Sequence, residues 1–285
     1  MLRIEGIKCP PGADQGLLLK KAARLLRCKP EDIRRFTVLR RAVDAREGLQ
    51  LVYTLAVELA DEGAVLPKDM AAYRRAVLEL RAEYAGRMEV LLGLEWDSQS
   101  DIEPVGFDYW IGSVHYQKGG NGRFYAADWG EEHFTACRDE LFGGDALAVA
   151  EGYFREVCRV AAKKPPILGH LDLITKLNSG SRFFDEEAPR YRTAALEALH
   201  AADPAATLLE INTGGVSRGY RSEPYPALFL LKEWRRMGGR IILTSDAHSA
   251  DTVVYGYGQS AALAKAAGFT NSILLTLKGP VECAL

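Results

Sequence analysis

Short apolar segments typical of β-strands alternate with amphipathic helical segments over most of the chain, and this alternation limits the possible folds most strongly. Helical periodicity recurs between the strand-like segments, and a last apolar segment, SILLTL, lies near the end of the chain. Repeated βα units with apolar strands predict an α/β fold built on a parallel sheet or barrel. The five predicted strands occupy residues 88–96, 107–115, 166–173, 207–213 and 240–248.

The start of the chain has a different pattern and is predicted to form a small α+β module. Apolar residues first alternate as in a strand, then recur at helical spacing, and then form two strand-like segments, FTVLRRAVDAR and LQLVYTLAVEL. The order β-α-β-β indicates a ferredoxin-like module. We therefore predict two domains, residues 1–66 and 67–285, with a linker at residues 61–68 and a charged helix at about residues 69–86.

Composition excludes several classes of protein. The chain has 285 residues, of which 48% are hydrophobic, and its net charge is −2, so its charge does not favour binding to nucleic acid or to an anionic membrane. Its five cysteines are scattered without a Cys-x-x-Cys motif, which argues against a disulfide framework and fits a reducing compartment. No segment has the roughly 18 apolar residues of a membrane span. We predict a cytoplasmic protein that binds neither nucleic acid nor membrane.

Polar residues able to bind a metal ion lie at the ends of the predicted strands. Glu95 ends the first strand, His115 ends the second, His170 lies in the third, and Asp246 and His248 end the fifth. The carboxyl ends of parallel strands meet on one face of a barrel, where active sites lie. Carboxylate and imidazole together suit zinc, manganese or iron. Each residue alone could instead be structural, for example a hydrogen-bonded histidine or a helix cap, but the joint pattern predicts a metal site.

A second set of polar residues follows the third and fourth strands and predicts a phosphate-binding site. Asn212 ends the fourth strand, and a Gly-Gly pair, Arg218 and Arg221 come next. Arg182 lies in the loop after the third strand. Arginine can donate two parallel hydrogen bonds to phosphate oxygens, although each of these arginines could equally be an exposed loop charge. We predict that Asn212, Arg182, Arg218 and Arg221 bind substrate.

Five motifs resemble the PHP family, the metal-dependent phosphoesterases named for polymerase and histidinol phosphatase. GLEWD, DYWIGSVHY, GHLDLITK, LEINTGG and SDAHSAD are similar to the histidinol-phosphate phosphatase branch and occur in the family order between about residues 69 and 285. The resemblance implies a distorted seven-stranded βα barrel and a centre of two or three metal ions. It also implies hydrolysis of a small phosphomonoester, L-histidinol phosphate, in histidine biosynthesis.

Carried over by position, the resemblance assigns a role to each strand-end residue. Glu95, His115 and His170 would bind one metal ion, and Glu95 could bridge to a second. Asp246 would belong to the second ion and His248 to a third. Glu95, Asp246 and His248 would thereby be the catalytic residues, acting through the metal ions that they hold.

The chain departs from this family at its start. Family members begin with a strand that ends in His-x-His, followed by another histidine and by a second strand that ends in Asp-His, whereas this chain has no histidine before His115. We therefore predict an incomplete barrel with between one and three divalent metal ions. Only the site of Glu95, His115 and His170 would keep its full set of ligands, so we expect weak or no hydrolysis.

The N-terminal module resembles a different family, the N-terminal domain of FAD-dependent oxidoreductases. RCKPEDI, FTVLRRAVDAR and VYTLAVEL carry the resemblance. The flavin-binding Gly-x-Gly-x-x-Gly motif of those proteins is missing from this chain, so no flavin is predicted. The two resemblances together indicate a fusion of two partial genes that join near residues 61–69.

Two alternatives to a histidinol-phosphatase type of enzyme stay open. One is a non-catalytic fusion protein that binds a metal ion or another ligand and uses the N-terminal module for interaction. The other is a nuclease of the PHP type, which the near-neutral charge of the chain disfavours.

Overall fold

The computed structural model describes residues 2–26, 29–44, 50–59, 70–120 and 122–285. The chain folds as two compact units, Met1–Glu83 and Tyr84–Leu285. Three predicted features lie outside the described residues: the domain boundary after residue 66, the linker at residues 61–68 and the proposed join near residues 61–69.

The first unit contains a three-stranded antiparallel sheet in the order β1-β3-β2. Its core lies between this sheet and the first helix, where Leu18 and Ala22 pack with Leu55 and Val57. The β-α-β-β order expected from the sequence is present, while a ferredoxin-like fold stays a prediction. The elements are β1 (Leu2–Cys9), α1 (Gln15–Leu26), a 3₁₀ turn (Pro30–Asp32), β2 (Ile33–Asp44), β3 (Gln50–Leu59) and α2 (Met70–Glu83).

The second unit is built on a seven-stranded sheet in the order β12-β11-β10-β9-β8-β5-β4. Six of the strands are parallel, and β12 pairs antiparallel with β11 at one edge. The predicted parallel sheet is therefore confirmed. Among the described residues no pairing joins β4 to β12, and a seven-stranded barrel stays a prediction. Strands β6 and β7 pair separately as a two-stranded sheet. The strands of the unit are β4 (Gly93–Asp97), β5 (Tyr109–Ser113), β6 (Tyr116–Lys118), β7 (Phe124–Ala126), β8 (Ile167–Leu168), β9 (Leu208–Asn212), β10 (Arg240–Thr244), β11 (Asn271–Thr276) and β12 (Gly279–Ala284).

Amphipathic helices pack on this sheet and form the main core with it. The longest is capped by Asp145, whose side chain accepts hydrogen bonds from the amides of Leu147 and Ala148 (3.0 and 3.2 Å). In the described part of the chain, no helix has the length and hydrophobicity of a membrane span. The helices are α3 (Glu131–Leu141), α4 (Ala146–Ala161), α5 (Pro189–His200), α6 (Gly214–Ser217), α7 (Leu228–Arg236) and α8 (Tyr257–Ala266).

The structure corrects the predicted third strand, which is much shorter than residues 166–173. Strand β8 contains only Ile167 and Leu168, and a 3₁₀ helix at Leu173–Thr175 takes the place of the expected strand end. Leu171 and Leu173 are nevertheless buried. A short apolar run in a buried turn has the same hydrophobic pattern as a buried strand, which explains the error. Helix α3 and the β6–β7 hairpin were also not predicted.

Candidate metal site

Three of the predicted ligands meet at the carboxyl ends of β4, β5 and β8. Oε1 of Glu95 lies 3.3 Å from Nε2 of His115 and 3.0 Å from Nε2 of His170. The three ligand atoms all lie within 4.8 Å of one another. The sheet order explains the meeting, because β5 is the neighbour of both β4 and β8. Residues far apart in the sequence therefore end on adjacent strands.

The geometry of this group suits a divalent metal ion. Two ligand atoms that each lie about 2.1 Å from a tetrahedral zinc ion are separated by roughly 3.4 Å, close to the distances from Glu95 to the two imidazoles. His170 is buried, whereas the side chain of Glu95 is 47% exposed. Three protein ligands with one side open to solvent are typical of a catalytic rather than a structural metal site.

Asp97 orients one of the imidazoles, and the sequence analysis did not assign it a role. Its Oδ2 accepts a hydrogen bond from the amide of His115 (2.8 Å) and lies 3.1 Å from Nδ1 of the same residue. A carboxylate that holds Nδ1 leaves Nε2 free to bind a metal ion. The signal was available, because Asp97 lies two residues after Glu95 in a strand and therefore points to the same face.

His170 is held in place mainly through its backbone. The buried carboxylate of Glu210 accepts hydrogen bonds from the amide of His170 (2.7 Å) and from the side chains of Asn212 (3.1 Å) and Thr244 (2.7 Å). Burial raises the pKa of Glu210. Glu210 thus links the ends of β8, β9 and β10 beneath the metal group.

The charges of the metal group depend on one another in the metal-free protein. Burial opposes ionisation of Glu95, but hydrogen bonds with His115 and His170 outweigh it and hold the pKa of Glu95 well below its usual value. Burial opposes protonation of His115, but hydrogen bonds with Asp97 and Glu95 raise its pKa to about 10. A metal ion that binds here must therefore displace a proton from an imidazole.

The other two predicted ligands, Asp246 and His248, lie outside this group. They follow β10 and contact Arg218, whose Nη2 lies 2.8 Å from Oδ2 of Asp246. Nη1 of Arg218 lies 3.0 Å from Nδ1 of His248. The one group of three or more metal-binding side chains in the described part of the chain is Glu95, His115 and His170.

The remaining predicted substrate-binding residues differ in how accessible they are. Asn212 is buried, and its side chain bonds the carboxylate of Glu210 and the amide of Gly214 (2.7 Å). Arg221 is largely buried, and its Nη1 donates to the carbonyl oxygen of Thr175 (3.2 Å). Arg182 is 56% exposed and forms an ion pair with Glu131.

Comparison with known proteins identifies the family of the chain. A protein of Deinococcus radiodurans named "probable histidinol-phosphatase" is 31% identical over 210 residues, which cover 68% of this chain and 70% of that protein. The chain belongs to the histidinol-phosphatase family. The histidinol-phosphatase of Bacillus subtilis is 26% identical over 69% of this chain and 77% of its own length. By this resemblance the chain is an enzyme of the phosphoric monoester hydrolase class.

A solved structure supports the fold. The crystal structure of a candidate histidinol phosphatase of Listeria monocytogenes matches with a TM-score of 0.53 and 17% identity, over 68% of this chain and 77% of that one. Residues 1–60 match a different family model, a domain of unknown function, DUF8436. This match gives no support to the predicted resemblance to FAD-dependent oxidoreductases.

Proposed function

We propose that the chain is a metal-dependent phosphatase that hydrolyses L-histidinol phosphate to L-histidinol and phosphate. The observation that carries this proposal is the group of Glu95, His115 and His170 at the strand ends of a member of the histidinol-phosphatase family. The names of the two curated relatives supply the substrate, a small phosphate ester. We also retain the prediction that the reaction belongs to histidine biosynthesis.

Each residue of the group has a distinct task in this proposal. Oε1 of Glu95 and Nε2 of both histidines would hold one divalent metal ion, zinc, manganese or iron. Such an ion, when bound, provides a nucleophilic water at neutral pH and neutralises charge on the phosphoryl oxygens. Asp97 keeps Nδ1 of His115 engaged and so directs its Nε2 toward the ion. The exposed side of Glu95 is where the phosphate group would enter.

We expect slow turnover, because one ligand group is described where the family resemblance implies two or three metal ions. A single ion offers less neutralisation of the charge that develops on phosphorus and on the leaving oxygen than a pair of ions does. Asp246 and His248 contact Arg218 and each other, and neither belongs to a group of three metal-binding side chains in the described part of the chain. The same observation favours the second candidate function, a metal-binding protein without catalysis.

Phosphate release by the purified full chain tests the proposal. The protein is first freed of metal, then supplied with Zn²⁺, Mn²⁺ or Fe²⁺, and incubated with L-histidinol phosphate. We expect slow, metal-dependent release of phosphate that His170→Asn abolishes, with circular dichroism to show that the variant is folded. A single-stranded oligonucleotide serves as the second substrate, and its cleavage would favour a nuclease. One bound metal ion without any phosphate release would favour the non-catalytic alternative.

A further inference from the structure

Arg218 contacts both residues that the family resemblance assigns to a second and a third metal ion. Its Nη2 donates to Oδ2 of Asp246 (2.8 Å), and its Nη1 donates to the backbone oxygen of Asp246 (3.1 Å). Nη1 also lies 3.0 Å from Nδ1 of His248. A guanidinium stays protonated at any physiological pH. The carboxylate of Asp246 is thus already neutralised by a permanent cation of the same chain.

The turn between β9 and Arg218 brings this cation to Asp246. Oδ1 of Asn212 accepts a hydrogen bond from the amide of Gly214 (2.7 Å), at the start of the short helix α6 that ends just before Arg218. A Cβ atom at Gly214 would lie 2.3 Å from Oδ2 of Asp246 and 2.6 Å from Nη2 of Arg218. The glycine therefore leaves the space that the ion pair occupies.

The backbone after β10 has an unusual conformation at the residue that contacts Arg218. Asp246 has φ 47°, a left-handed conformation that is uncommon for residues other than glycine. This conformation accompanies a backbone oxygen that accepts from Arg218 and lies 2.9 Å from Nδ1 of His248. Nδ1 of His248 either accepts a hydrogen bond from Arg218 or donates one to the oxygen of Asp246. In both tautomers this nitrogen is engaged within the chain. The exposed Nε2 of His248 stays available, as Nε2 of His115 does, but no group of three metal-binding side chains in the described part of the chain includes His248.

We propose that Asp246 and His248 hold Arg218 in place instead of binding metal ions, so that the centre takes a single divalent ion. The inference depends on the proposed metal site at Glu95, His115 and His170. His170 follows β8 and Asp246 follows β10, so the two residues lie at the carboxyl-terminal end of the sheet with one strand, β9, between them. A phosphate dianion bound at the metal group would therefore have a guanidinium at the same end of the sheet.

This assignment makes Arg218 the fixed positive charge of the phosphate site and makes Asp246 and His248 positioning residues. Arginine donates hydrogen bonds in a rigid planar fork that matches phosphate oxygens. The ion pair with Asp246 holds the planar group in one orientation before substrate arrives, which lowers the entropic cost of binding phosphate.

Metal counting tests the first part of the inference without any measurement of catalysis. The full chain is saturated with Mn²⁺ or Zn²⁺, dialysed, and analysed for metal by mass spectrometry. We expect one ion per chain in the wild type, one in Asp246→Asn and in His248→Gln, and none in His170→Asn. Two or more ions in the wild type, or loss of an ion in Asp246→Asn, would overturn the single-ion assignment alone. No ion in the wild type would overturn it together with the metal group.

The affinity of the metal-loaded chain for inorganic phosphate, measured by calorimetry, tests the second part. Loss of a charge-assisted pair of hydrogen bonds should weaken binding about tenfold or more in Arg218→Gln. Asp246→Asn should also weaken phosphate binding, while the metal count stays at one. If Asp246 were a metal ligand, its replacement would lower the metal count as well. Arg192 of α5 pairs with Glu187, and Arg192→Gln is the control, which should bind phosphate as the wild type does. Unchanged phosphate affinity in Arg218→Gln would overturn the role of Arg218.

Discussion

Replacement of Asp97 by asparagine should weaken metal binding although Asp97 is not in the metal group itself. The carboxylate accepts a hydrogen bond from the amide of His115 (2.8 Å) and lies 3.1 Å from its Nδ1. Asparagine can keep the first contact through its amide oxygen, but it removes the negative charge that favours a proton on Nδ1. The Nε2 of His115 then becomes a weaker and less firmly oriented ligand.

The expected loss is between about 10-fold and 100-fold in metal affinity, the range found when carboxylate partners of metal-binding histidines are removed. This corresponds to about 1.4 to 2.8 kcal/mol at 25 °C. The side chain of Asp97 is only 22% exposed, so solvent screens the contact weakly. The dissociation constant for Zn²⁺ or Mn²⁺ can be measured by competition with a fluorescent chelator. The comparison requires that the folded fraction is the same in wild type and variant.

Asp101→Asn is the matched control for this experiment. Asp101 is an exposed aspartate four residues further along the chain, and its replacement removes the same charge without touching His115. We expect its metal affinity to equal that of the wild type. If Asp97→Asn binds metal within twofold of the wild type, Asp97 does not orient His115, and the reasoning is refuted.

Four further predictions concern the metal group and the packing of the sheet beside it. Because the pKa of His115 is raised to about 10 in the metal-free protein, metal binding should release a proton. The affinity for the metal ion should therefore fall about tenfold for each pH unit of decrease between pH 8 and 6, and equal affinity at both pH values would contradict this. For the same reason, the stability that His115 gives the metal-free protein should be complete below pH about 6.5 and disappear as the pH rises toward about 10. Glu95→Gln should lower metal affinity by more than the roughly 100-fold effect of an outer partner, as measured by the same chelator competition. Gly169→Ala should destabilise the fold by about 1–3 kcal/mol in thermal or urea unfolding, because its Cβ would lie 2.6 Å from Cγ2 of Ile111. Gly258→Ala in α8 should not destabilise the fold, because a Cβ there would meet open space. Equal stability of the two variants would contradict the packing argument.

Local patterns in the sequence were enough to locate most elements of the second unit. Strand β9 is buried at every position, and its apolar residues Leu208, Leu209 and Ile211 predict a buried strand. Helix α4 begins at an aspartate cap and places an apolar stripe on the core. Patterns of this kind depend on neighbours a few residues away, so they can be read without knowledge of the fold.

Strand boundaries and long-range contacts could not be read in this way. The short strand β8 and the turn after it depend on the amide of His170 donating to Glu210, which lies 40 residues later in the chain. The ion pair of Arg218 and Asp246 joins residues 28 positions apart. The sequence pattern assigns these two residues to separate phosphate and metal sites, and only their distance of 2.8 Å shows that they contact each other.

The metal site depends on both levels of information. The amino-acid sequence by itself determined which ligands the chain can offer, because a carboxylate and imidazoles at the ends of apolar strands already specify a metal-binding chemistry. Only the tertiary structure decided that Glu95, His115 and His170 meet, while Asp246 and His248 face an arginine. The physical reason is that strand order is set by pairing between distant segments, and no local periodicity encodes which strand becomes the neighbour of which.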